Sequence, residues 1–159
     1  MTSTFQTVNA IGWGYFEKLG KQKVLQVQSS TEPPKKLALG ERAVMADGAD
    51  FLLVLLKEQG QAVEPVYPIE GAPLIVVPSG IFRSAPNPNA ARLLQSYLLS
   101  AEAQRIFVDV FANRTFHGLV KEKPGRTPFA SIKVMKTDPA EVEAQSEGIK
   151  ARYAKLFGV

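Results

Sequence analysis

The apolar residues of this chain change their period repeatedly within its first third, and that alternation constrains the fold more than any other feature. Trp13, Phe16 and Leu19 recur at helical spacing and end at Gly20, so Trp13–Lys21 reads as a helix. Lys23–Gln28 then alternates apolar and polar residues around Val24 and Val27, the pattern of a strand. Ser29, Ser30 and Thr31 precede Glu32-Pro33-Pro34, which starts a short helix ending at Gly40, and Arg42–Ala46 reads as a second strand. The expectation is a β-α-β unit, and therefore an α/β protein.

The pattern continues downstream. Ala49–Gln59 is apolar almost throughout and stops at Gly60, as a buried helix would. Ala62–Tyr67 and Ala72–Val77 read as strands joined by Pro68-Ile69-Glu70-Gly71. Asn87-Pro88 opens a helix running through Leu98, and Ser100 caps another with Ala103, Ile106, Phe107 and Val110 on its expected buried face. Asn113–Phe129 is loop-rich. Asp138-Pro139-Ala140-Glu141 has the form of a capping box, followed by a helix carrying Val142, Ile149, Tyr153 and Leu156.

Composition removes several function classes. The 159 residues contain no cysteine, which excludes disulfides, thiolate catalysis and sulfur-ligated metals. The net charge of +4 comes from lysines and arginines scattered among acids, without the concentrated basic face of a nucleic-acid binder. No apolar run approaches the roughly 18 residues of a membrane span. Residues Met1–Tyr15 lack the basic start and apolar stretch of a signal peptide, which leaves a cytoplasmic location open. No Gly-x-Ser-x-Gly elbow, Walker A loop or Gly-x-Gly-x-x-Gly fingerprint occurs. His117 is the single histidine and has no nucleophile to serve, so no enzymatic activity and no cofactor is expected.

Six residues stand out as candidate ligand contacts. Ser29, Ser30 and Thr31 lie between a strand-like and a helix-like segment, where hydroxyls and free N–H groups at a helix start suit an anion or serve simply as an N-cap. Asp47 and Asp50 follow the second expected strand; they either cap the next helix or contribute oxygen ligands for a hard cation. Glu70 sits between Pro68 and Gly71, in a turn or hinge. No metal site is expected from these acids.

Five stretches together resemble the extracellular solute-binding proteins of ABC importers, of the ferric-iron type within the type 2 periplasmic-binding fold. They are Gly12-Trp13-Gly14-Tyr15-Phe16-Glu17-Lys18-Leu19, Lys36-Leu37-Ala38-Leu39-Gly40-Glu41-Arg42-Ala43-Val44, Pro68-Ile69-Glu70-Gly71-Ala72-Pro73-Leu74, Ala85-Pro86-Asn87-Pro88-Asn89-Ala90-Ala91 and Leu98-Leu99-Ser100-Ala101-Glu102-Ala103-Gln104. Each is weak alone; their order across most of the chain is specific. The resemblance covers the carboxy-terminal half of such receptors. It implies a partial periplasmic-binding fold with mixed sheets flanked by helices. Residues 1–63 would close the second lobe, 64–71 would be a hinge crossing, and 72–159 would belong to the first lobe. It also implies a periplasmic location, a small-molecule solute as ligand and the membrane permease subunits of the importer as partners.

Two departures bear on that reading. The iron receptors carry adjacent tyrosines after the strand equivalent to 42–46, whereas this chain has Asp47-Gly48-Ala49-Asp50-Phe51. A small anionic or organic solute is therefore expected in place of ferric iron. The first half of the receptor fold has no counterpart here, so self-association or a separate amino-terminal half is expected to cover the exposed sheet edges. A cytosolic ligand-sensing or interaction module with the same fold is the alternative.

Overall fold

The computed structural model describes residues 2–27, 29–135 and 137–158. Gln28, the last residue of the expected strand at 23–28, lies outside them. The chain divides into two compact units, interleaved along the sequence. One comprises Met1–Gln28, Val66–Val76 and Phe129–Val159, and the other Ser29–Pro65 and Val77–Pro128. The backbone passes from one unit to the other four times.

The first unit is organised around a helix with no clear periodic signature, α1 (Thr2–Ile11), which touches α2 (Trp13–Gly20), β1 (Ala72–Pro73), β2 (Val134–Met135) and α7 (Pro139–Phe157). Its Phe5 is almost completely enclosed. The α7 helix begins as its sequence indicates: Asp138 caps it by accepting the Ala140 N–H at 2.9 Å, with Pro139 at the first helical position. Gly158 ends it in the left-handed region, φ 72°, returning its N–H to the Ala154 carbonyl. The α2 and α7 helices meet through an aromatic cluster. Phe16 is buried and lies edge-on to Tyr153 and Phe157, with ring centroids 6.0 and 6.5 Å away.

The only sheet among the described residues is a parallel pair, with Ala72 opposite Val134 and Pro73 opposite Met135. Gly71 leads into it at φ 127°, and a Cβ there would stand 3.2 Å from Met135, so this turn requires glycine. Beyond the pair, Leu74 finds a substitute for a neighbouring strand. The Gln6 side chain accepts the Leu74 N–H at 2.9 Å and donates to the Leu74 carbonyl at 3.0 Å, while also bonding the Thr137 hydroxyl. A side-chain amide carries the same donor–acceptor pair as a peptide group, so it satisfies one residue of strand edge.

The second unit contains α3 (Glu32–Ala38), α4 (Asp50–Glu58), α5 (Pro88–Leu98) and α6 (Ala101–Asp109). The α3 helix contacts α4, and α5 contacts α6. Ser100 separates the last two and accepts the Ala103 N–H, as its sequence position indicates. The unit's small core consists of Leu53, Val63, Ala103, Val108 and Ala112. Of the face expected on α6, Ala103 is buried and Phe107 half-buried, but Ile106 and the C-cap Val110 are exposed, and Val108 is buried in their place.

The helices from α2 onward therefore follow the sequence closely, whereas α1 was not signalled and the expected strands mostly do not form. Residues 23–27, 42–46 and 62–67 form no strand, and the segment 72–77 contributes only its first two residues. The fold is a mixed α and β arrangement with one two-stranded parallel sheet, and the expected mixed sheets and early β-α-β unit are absent among the described residues. The reason is physical: a helix satisfies its own backbone, whereas a strand needs a partner at each edge, and alternation alone supplies none.

Candidate functional site

Of the six candidate residues, Asp50 occupies the most elaborately built surroundings. It is the first residue of α4, where a carboxylate complements the positive helix end. Two guanidinium groups converge on its Oδ2: Arg126 Nη2 at 2.6 Å and Arg114 Nε at 3.3 Å. Both come from the loop following α6. Arg114 also pairs with Glu122 and donates to the Thr127 carbonyl at 2.9 Å. Arg126 donates to the Ala112 carbonyl. Nearby, Lys123 bonds Glu58 of α4 at 2.9 Å and the Asp109 carbonyl at the end of α6 at 2.7 Å.

The side chain of Arg126 is only 1% exposed. Its Nη2 touches Asp50 without hydrogen-bond alignment, and neither Nη2 nor Nε has a hydrogen-bond partner among the described residues. The contact is thus a close charge pair lacking directed bonds. Two cations and two anions, Arg114 and Arg126 with Asp50 and Glu122, balance. A balanced cluster has no surplus charge with which to draw a solute. Its evident work is to fasten the 110–128 loop onto α4. Nothing in the spacing of Arg114 and Arg126 connects them to Asp50 along the chain. Pro124-Gly125 and Thr127-Pro128 around Arg126 signal a stiff turn and no more.

The other candidates are more open. Ser29, Ser30 and Thr31 are exposed; Ser29 Oγ lies 2.9 Å from Thr31 Oγ1 and accepts the Thr31 N–H at 3.2 Å, closing a local turn. Thr31 is the N-cap of α3 by position but makes no side-chain capping bond. That helix has seven residues, and Pro33 and Pro34 bring no N–H to its first turn while Glu32 adds a carboxylate. An anion meets little there to hold it. Asp47 is exposed in a bend of the same unit. Glu70 is exposed at the turn before β1, in the other unit. Among the described residues no three histidine, aspartate or glutamate side chains gather closely enough to hold a metal ion.

His117 accepts the Leu119 N–H on Nδ1 at 3.2 Å, which closes the turn in which it sits. In the first unit a shallow hollow of about 340 Å³ lies along α7, lined by Trp13, Gln145, Gly148 and Arg152 among others. The Arg152 guanidinium stacks 4.5 Å from the centre of the Trp13 ring and pairs with Glu17 at 3.0 Å. No helix among the described residues is long and apolar enough to cross a membrane. No known protein family, curated protein or solved structure matches the chain.

Proposed function

We propose that this chain is a solute-binding component of an ABC importer, or a remnant of one, which takes up a small organic solute and presents it to a membrane permease. One observation carries the reading: the two compact units are interleaved, with the backbone passing between them four times. Closure on a solute by hinge motion moves two bodies about the few backbone segments that join them, and interleaved units supply such segments. The order of the five sequence stretches supports the same reading.

An organic solute suits the surface better than an anion. The exposed hydroxyls of Ser29–Thr31 adjoin the carboxylate of Glu32, and the first turn of α3 is poor in N–H donors. Asp47, the exposed candidate acid of the unit that also carries Ser29–Thr31, would favour hydroxyl or amine groups on a ligand. Numerous exposed apolar side chains favour a second reading, a module whose role is interaction.

Thermal-shift and calorimetric screening of the full chain tests the proposal, using small acids, sugars, polyamines and ferric ion. A ligand present at a hundred times its Kd adds about 2.7 kcal/mol of stability. The expected result is a rise in Tm with a neutral or cationic organic solute, diminished by Asp47→Asn. Absence of any shift across the panel would refute solute binding by this chain.

A further inference from the structure

Asp47-Gly48 is the one place in the chain where an aspartate or asparagine precedes a glycine; the others precede alanine, phenylalanine, proline, valine or arginine. A residue without a Cβ lets its main-chain nitrogen swing back onto the preceding side chain. There it can reach the aspartate Cγ and close a five-membered ring. Regular secondary structure prevents this by fixing the backbone and spending the N–H on a hydrogen bond.

The fold leaves this dipeptide uncommitted. Both residues are exposed, Asp47 lies in a bend, and neither belongs to a helix or strand. The following helix, α4, begins only at Asp50, with Ala49 as its N-cap. The Gly48 N–H makes no hydrogen bond among the described residues. The remaining aspartates are held. Asp50 starts α4 against the guanidinium groups of Arg114 and Arg126, and Asp109 is the last residue of α6. Asp138 caps α7 and is followed by proline, which has no N–H to offer.

We infer that Asp47-Gly48 is a site of spontaneous backbone modification, at which aspartate isomerises to isoaspartate through a succinimide. The Gly48 nitrogen attacks Cγ of the protonated Asp47 carboxyl. An N–Cγ bond forms, and the carboxyl hydroxyl leaves as water with the proton lost from the nitrogen. Water then adds to one of the two ring carbonyls. Opening at Cγ restores aspartate. Opening at the main-chain carbonyl breaks the original peptide bond and leaves the chain running through Cγ. One water leaves and one enters, so no oxidant or cofactor takes part. The product keeps one carboxylate, now directly on Cα, and its backbone is longer by a methylene. That length is added ahead of α4, outside the helix and its contacts with Arg114 and Arg126. The reaction needs no solute.

Ageing the full chain at neutral pH in heavy-oxygen water labels each ring opening, and trypsin then releases the peptide Ala43–Lys57. The expected result is a second, chromatographically separate form of this peptide, carrying heavy oxygen and accepting a methyl group from an isoaspartyl-specific methyltransferase. Fragmentation should place the isomer at residue 47. The folded chain should isomerise within roughly tenfold of the rate in urea-unfolded chain, a barrier difference below about 1.4 kcal/mol. Gly48→Ala should slow the reaction by roughly tenfold or more, since its Cβ obstructs the approach of the nitrogen. Alanine is compatible with the site: the Gly48 φ lies outside the left-handed region, and the new Cβ would meet the flexible end of the Met45 side chain. Should that variant unfold, the comparison of folded with urea-unfolded parent chain decides alone. Three results would each overturn the inference: a folded chain that stays unmodified while the unfolded chain isomerises, an isomer located at Asp50, or a folded Gly48→Ala chain that isomerises as fast as the parent.

Discussion

Replacing Gln6 by leucine removes the one side chain that stands in for a strand beside Leu74. Gln6 is 2% exposed and spends its amide on the Leu74 N–H at 2.9 Å and the Leu74 carbonyl at 3.0 Å. Leucine fills similar volume, so the cavity term is small and the loss falls on the hydrogen bonds. Each bond contributes about 1 kcal/mol, and leaving its backbone partner shielded and unpaired raises the cost toward 2 kcal/mol, so the variant should lose about 2–4 kcal/mol. With a urea m-value of about 2 kcal/mol/M, the unfolding midpoint should move down by roughly 1–2 M. Hydrogen exchange localises the effect: the Leu74 amide should lose protection beyond the global change. Gln6→Glu sharpens the test. It keeps an acceptor for the N–H but sets a buried carboxylate against the Leu74 carbonyl, so it should destabilise at least as much. A loss under about 0.5 kcal/mol for Gln6→Leu, well below one ordinary hydrogen bond, would refute the reasoning.

Two further outcomes follow from the second unit. Asp50→Asn strips the buried Arg126 guanidinium of its counter-charge and should cost about 3 kcal/mol in urea unfolding, whereas adding Arg126→Met to it should recover part of the loss. Ser100→Ala removes the cap of α6 and should cost about 1 kcal/mol, read as a lowered Tm with no change in folded helicity.

The helices were legible because their signals are local. Asp138-Pro139, Ser100 and Asn87-Pro88 mark helix starts through residues adjacent in sequence, and the helices begin within a residue of each mark. Asn87 shows the limit of such a signal, since it holds the N-cap position without a capping bond. The first helix gave no comparable warning. Thr2–Ile11 is rich in threonine and other β-branched residues that favour helix weakly, and it is ordered by burying Phe5 and engaging Gln6. Of the candidate contacts, Asp50 was recognisable as an acid near a helix start, but the two arginines that engage it come from 64 and 76 positions away.

By itself the sequence determined where the helices after the first begin and which motif-borne chemistries it lacks. Those properties depend on residues within a turn or two of one another. Tertiary structure alone decided which strand-like segments pair, that Gln6 substitutes for a missing neighbour of Leu74, and that Asp50 is neutralised by Arg114 and Arg126. Each of these joins groups distant along the chain, and a backbone edge or a buried charge is satisfied only by whatever the fold brings against it.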